Sequence, residues 1–197
     1  MKRMIFLVFS IMLLLPVVVN AAFSDLTENH WAAPYINELS SKNVINGYPD
    51  GTFKPNDTLT KGAFLKLIIA ASMPEVDFTK APKDFNHWAA GYVNVAENYG
   101  VLEEGEITLE NIDTPINRID VVKILSLCDI DIRGNEQLSV DFLSFSDSIE
   151  LDIEEKVLLS HAVASEIIGG YPDGTFKPQN NLTRAEASKI LSVYMNK

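Results

Sequence analysis

Three cations hold matched places in this chain of 197 residues. Lys61, Arg118 and Arg184 each follow a residue that reads as a helix cap: Thr60, Asn117 and Thr183. That spacing puts each cation at a first helical position, where amides lack partners and the helix dipole is positive. A guanidinium or ammonium beside such amides can hold a carboxylate. A cation there is commonly just a solvated surface residue, but recurrence at three helix starts favours binding. Lys61 keeps the charge without the two-pronged fork that suits a carboxylate. Trp31 and Trp88 each sit between a histidine and a pair of alanines. An indole can offer a flat face to a sugar ring or pack into a core, and both uses stay open. Gly47 and Gly170 belong to tight turns. Asp25 and Asp147 could accept sugar hydroxyls, although caps and turns claim such residues first.

Nothing comparable supports catalysis. His30, His87 and His161 are scattered, and the first two precede the tryptophans at helix starts, which suggests a local structural role. Asp50-Gly51-Thr52 followed by Asn56-Asp57 does not fit a calcium-loop spacing. No enzyme activity, metal or cofactor is expected.

The elements that must carry these residues are repeated. Gly47-Tyr48-Pro49-Asp50-Gly51-Thr52-Phe53-Lys54-Pro55 recurs unchanged from Gly170 to Pro178. Leu59-Thr60-Lys61 returns as Leu182-Thr183-Arg184 at the same offset of 123. Phe23-Ser24-Asp25 opens the first unit as Phe145-Ser146-Asp147 opens the last. Between them His30-Trp31-Ala32-Ala33 returns as His87-Trp88-Ala89-Ala90, at an offset of 57 that also carries Lys61 onto Arg118. This middle copy has lost the turn, and Glu103-Glu104-Gly105-Glu106 occupies its place. The chain therefore divides into units at 23–72, 84–129 and 145–195, and units of this size must pack on one another.

Residues 1–22 read as a secretory signal peptide: Lys2 and Arg3, then an apolar run from Met4 to Val19, then small residues. The run of 16 residues is short against the roughly 20 of a membrane span, with an uncleaved anchor as the second reading. Losing Lys2 and Arg3 with this segment takes the formal net charge from −11 to −13. So acidic a chain repels nucleic acid. Cys128 is the only cysteine, so no internal disulfide forms and packing must supply the core. Met73–Lys83 and Ile130–Leu143 read as linkers.

Each unit reads as helix, turn, helix. In the third, Thr183-Arg184-Ala185-Glu186 is a capping box, followed by Ala187, Ile190, Leu191 and Tyr194 on one face. Phe64, Leu67, Ile68 and Ala71 repeat that face, as do Val121, Ile124, Leu125 and Cys128. Three equivalent apolar faces predict a shared central helical core, with Cys128 as a small hydrophobe in it. Asn117 and Asp120 keep a box-like pair, whereas Thr60 is followed by Ala63 and half of the box is gone. The first helices carry Trp31, Tyr35, Ile36 and Leu39, then Trp88, Tyr92, Val93 and Ala96, then Glu154, Leu158, Leu159 and Ala162. Tyr-Pro-Asp-Gly predicts a type I turn, with Thr-Phe-Lys extended before the proline.

Phe-Ser-Asp, the Trp-Ala helix start, Gly-Tyr-Pro-Asp-Gly-Thr-Phe-Lys-Pro and Leu-Thr-Arg-Ala-Glu together resemble the S-layer homology domain family. The resemblance covers essentially the whole chain after residue 22; units one and three match well, and unit two only at His87–Ala90 and Asn117–Asp120. It implies a mostly α, three-pronged domain of three repeats with pseudo-threefold packing. It implies secretion to the cell wall or cell surface, and binding of secondary cell-wall polysaccharide, often pyruvylated, in grooves between repeats. Arg184, Arg118 and Lys61 then match the recurrent cationic contact, Trp31 and Trp88 the aromatic, and Gly47 and Gly170 the turn. Unit three lacks a tryptophan, so Trp31 or Trp88 would have to reach its ligand from a neighbouring unit. The alternative is a structural or interaction protein of the cell envelope, in contact with other envelope proteins, with vestigial sugar sites.

Overall fold

The structure, a computed structural model, describes residues 23–77, 85–128 and 143–197. The expected signal peptide and most of the two expected linkers lie outside these residues. The described chain is mostly helical, as the sequence pattern predicts. Its helices are α1 (Ala33–Ser41), α2 (Lys61–Ser72), α3 (Ala90–Asn98), α4 (Arg118–Cys128), α5 (Ile153–Ala164) and α6 (Arg184–Met195). A 3-10 turn at Ser148–Glu150 precedes α5. Strand pairing among the described residues is limited to isolated bridges: Thr58 with Thr183, Thr60 with Pro115, and Asn117 with Asn181.

Those bridges bring three distant segments to one point. The Leu59 amide donates to the Leu182 carbonyl, the Leu182 amide to Ile116, and the Ile116 amide to Leu59, each at 2.9 Å. All three side chains are buried. The capped helices α2, α4 and α6 set out from this closed ring. Thr60, Asn117 and Thr183 each accept the third helical amide, and Glu186 completes the capping box of α6. The apolar faces that follow share one core: Phe64 and Ile68, Val121 and Leu125, Ala187 and Leu191 belong to a single buried cluster. Cys128 is partly buried against it.

The first helices pack outward on these. α1 lies on α6, α3 on α2, and α5 on α4; α2 and α6 also touch directly. Each first helix thus packs mainly on a capped helix of another unit. α1 and α6 are further clamped by Glu38, which accepts from Ser192, Asn196 and Lys42. These three bonds bring the Glu38 carboxyl down to about 2. The first-helix faces differ from the expected pattern at Trp31, Trp88 and Glu154, all of them exposed. Ile36 and Leu39 are buried, but Trp31 lies before α1 and is exposed. Ala32 and Ala33 take the core position instead. The expected local role of His30 and His87 is seen directly: each ring Nδ1 accepts the amide two residues on.

The repeated turn is braced by its repeated partner. Gly51 and Gly174 donate to Tyr48 and Tyr171 across the turn, and both glycines take positive φ. Asp25 accepts the amides of Phe53 and Lys54 on its two carboxylate oxygens, each at 2.7 Å. Asp147 holds Phe176 and Lys177 at 2.8 and 2.7 Å. One carboxylate gripping two successive amides corrects the expected extended run. Lys54 and Lys177 have φ of 56° in the left-handed region, not the extended one. The charge-assisted pair of bonds outweighs a left-handed cost of about 1–2 kcal/mol.

Leu125 is fully buried in the shared cluster. Leu125→Asp is expected to remove hydrogen-exchange protection from α2, α4 and α6 together, since an unpaired buried charge destabilises the whole core. Protection lost from α4 alone would refute the shared core. Asp147→Asn removes one charge-assisted amide bond from a half-buried carboxylate, and a thermal-denaturation loss of about 1–2 kcal/mol is expected. Glu38 has its folded pKa depressed, so its contribution is complete above its unfolded value and fades as pH falls through the folded one. Acid titration followed by circular dichroism should therefore show Glu38→Gln flatter than the parent between about pH 4.5 and 2.

Candidate functional site

The structure overturns one premise of the predicted anion site. The first helical amides are not free. Lys61 and Gly62 donate to Thr114 and Ile112, Arg118 and Ile119 to Asn180 and Pro178, Arg184 and Ala185 to Asp57 and Pro55. The capped helices of each unit spend their terminal amides on the next unit, so helix ends offer no bare donors to a ligand.

The two arginines are also partly spent. Arg184 is only 9% exposed and Arg118 4%. The Arg184 guanidinium donates from Nε to the Phe53 carbonyl at 2.7 Å and from Nη2 to Asn46 at 2.9 Å. Its carbon lies 4.4 Å from the Phe53 ring centre and 5.0 Å from Tyr48. Arg118 repeats this on Phe176 and Gly169, at 2.9 and 2.7 Å, against the Phe176 and Tyr171 rings. Each arginine therefore pins the Gly-Tyr-Pro-Asp-Gly turn of another unit to its own helix start. Burial lowers both guanidinium pKa values, opposed by Tyr171 and Glu186 at Arg118 and by Tyr48 and Asp57 at Arg184. A guanidinium keeps its proton regardless.

What remains on each arginine is Nη1. In Arg118 it faces Glu186 Oε1 at 3.7 Å. In Arg184 it has no acceptor, and no carboxylate lies within 4.0 Å of that side chain among the described residues. Lys61 instead meets Asp120 at 3.7 Å.

The turn glycines are required by close approach. A Cβ on Gly47 would meet the Phe23 ring and the Thr52 carbonyl oxygen at 2.7 Å, and one on Gly170 would meet Phe145 and Thr175 in the same way. The glycine amides have no acceptor among the described residues. Asp25 and Asp147 have both carboxylate oxygens committed to backbone amides, which fixes them as braces.

Trp31 and Trp88 are 53% and 52% exposed, so neither is a core residue. Each overlooks a groove assembled from three units. A cleft of about 880 Å³ joins Trp31, Arg118, Gly170, Tyr171, Glu186 and Lys189. A second groove of about 170 Å³ joins Trp88, Arg184, Asn46, Gly47, Ala63 and Lys66. Arg184 therefore works beside the Gly47 turn, not beside the Gly170 turn that precedes it in sequence. The tryptophan missing from unit three is supplied from elsewhere: Trp31 stands at the Gly170 turn. A third hollow of about 500 Å³ is acidic, with Glu103, Glu106, Asp152, Glu154 and Glu155 around Lys123. Glu154 stands where the other units carry tryptophan, and Lys123 is tied to Glu155 at 2.8 Å. Lys61 is not in its lining.

Two features of these grooves lay in the sequence unremarked. Lys66, Lys123 and Lys189 stand five residues after each helix-start cation, at the same offsets of 57 and 123. Tyr48 and Tyr171, read only as turn residues, carry the arginines on their rings. The Tyr171 hydroxyl donates to Glu186, and burial together with that bond pushes it up to about 12. Burial raises the Glu186 carboxyl, but bonds from Thr183 and Tyr171 outweigh it and keep it ionised. No group of three or more metal-binding side chains occurs among the described residues.

Comparison with known proteins agrees with the repeat. The sequence profile of the S-layer homology domain matches residues 22–65 and 160–188. The S-layer protein EA1 of Bacillus anthracis is 26% identical over 177 residues, covering 87% of this chain and 20% of its own length. A cellulosome-anchoring protein of Acetivibrio thermocellus is 27% identical over 171 residues, covering 86% and 25%. An endoglucanase of Bacillus sp. (strain KSM-635) is 26% identical over 178 residues, covering 88% and 18%. The chain spans a quarter or less of the length of these relatives, and the part shared with the endoglucanase is a small fraction of that enzyme. The matched profile falls on the two segments that carry the intact turns, so residues 22–65 and 160–188 are S-layer homology sequence.

Proposed function

We propose that this chain is a non-catalytic anchoring module of the cell surface, which binds secondary cell-wall polysaccharide in grooves between its units. The units are 23–72, 84–129 and 145–195, arranged around a pseudo-threefold axis through the capped helices. The chain is exported and acts at the cell wall. The polysaccharide is anionic, with a pyruvate ketal as the group recognised. The observation that carries this reading is the repeated composite groove: an exposed tryptophan, a buried arginine and a glycine turn, drawn from three units, occur together twice. An exposed indole at each suits a sugar face. A lysine in each supplies the field that draws an anion to a chain of net charge −11.

One observation favours the second reading, an envelope interaction protein whose sugar sites are vestigial. The third hollow has lost both the tryptophan and the turn and is lined by carboxylates, so at most two grooves serve polysaccharide.

Sedimentation with purified cell walls decides between them. The chain is expected to pellet with walls that retain secondary polysaccharide and to stay in solution with acid-stripped walls. Equal pelleting with both would refute glycan recognition and favour a protein or peptidoglycan partner.

A further inference from the structure

We infer that the grooves differ in charge selectivity, and that Ala63 makes the Gly47–Trp88–Arg184 groove the one that takes a carboxylate-bearing sugar. This rests on the anchoring reading and deepens it. Each helix-start cation faces the third helical residue of the unit that follows it around the ring. Lys61 faces Asp120, and Arg118 faces Glu186, both as ion pairs at 3.7 Å. Arg184 faces the matching position in α2, which is Ala63. Its Nη1 is the guanidinium nitrogen without an acceptor among the described residues, since Nε and Nη2 have bound the Phe53 and Asn46 carbonyls. Lys66 adds a second positive charge, and no carboxylate among the described residues lines the groove.

The Gly170 cleft is built from matching parts but is self-neutralised. Glu186 takes the Nη1 of Arg118 and the hydroxyl of Tyr171, and Glu166 lies in the same lining. An incoming carboxylate there would meet a fixed negative charge at the place its own oxygen must occupy. Of the acids that act on Arg184 at longer range, Asp25 holds two backbone amides, and Asp57 does not line the groove. The Gly170 cleft therefore suits a neutral stretch of glycan, and the Gly47 groove its charged residue.

The substitution that tests this leaves the fold intact. Ala63→Glu completes the Thr60 capping box and mirrors Glu186, so it holds or raises thermal stability. It also places a carboxylate against Arg184. Ala63→Gln completes the same box at the same size without charge. Trp31→Phe leaves Trp88 as the only tryptophan, whose fluorescence reports this groove. The probes are a methyl hexoside carrying a pyruvate ketal and the neutral methyl ester of that ketal.

In the Trp31→Phe background the acid is expected to shift Trp88 emission at concentrations at least about tenfold below the ester. Ala63→Glu should weaken acid binding by about tenfold or more, and Ala63→Gln should not. Equal binding of acid and ester, or equal losses in the Glu and Gln variants, overturns the inference. Wall sedimentation of the chain with both tryptophans in place, with and without Ala63→Glu, separates the two levels. Ketal binding at Trp88 without wall binding sinks the anchoring reading alone. Wall binding with an unresponsive Trp88 sinks this inference alone.

Discussion

Three backbone hydrogen bonds, from Leu59 to Leu182, Leu182 to Ile116 and Ile116 to Leu59, hold the rest of the structure in place. They close a ring among segments more than fifty residues apart in sequence, inside an apolar core where water cannot substitute. Breaking one would leave a buried donor and a buried acceptor unpaired at once. The ring fixes where α2, α4 and α6 begin. From there the next amides reach sideways to the neighbouring unit, and the caps take the third. A helix start that would be bare in an isolated unit is fully occupied in the assembled one, which is why a single unit could not stand alone.

The same ring decides what the repeated charges do within the duplication. A cation one residue past the cap projects straight into the adjoining unit. Arginine suits that place because its fork can bind two carbonyls and its flat face can rest on Phe and Tyr rings while a third nitrogen is left over. Asp25 and Asp147 work from the other side, gripping the two amides that follow the turn. The turn is held between an anion from its own unit and a cation from another. Recognition is built from the parts that folding leaves unspent: one guanidinium nitrogen, a glycine amide, an indole face.

Divergence of the units shows in what faces the leftover nitrogen. Glu186 does double duty as capping residue and counter-ion. Where α2 has Ala63, half a capping box is lost, worth on the order of 1 kcal/mol, and a positive charge is exposed to the groove. The stability lost at the helix start and the charge gained in the groove are one change seen from two sides.

The duplication, the helical periodicity, the caps and the apolar faces were all legible in the sequence, because each is set by neighbours within a few residues along the chain. So were the residue types of the site: the arginines, the tryptophans and the turn glycines. Which of them meet was not. Arg184 lies fourteen residues after Gly170 yet serves Gly47, and Trp31 belongs with Arg118, because every unit lends its first helix and its helix-start cation to others. The left-handed Lys54 likewise follows from a partner distant along the chain, the Asp25 carboxylate. Periodicity and capping act through local geometry and can be read in one dimension. The grooves, and the presence or absence of a counter-ion in each, arise only when three distant segments close their ring of hydrogen bonds.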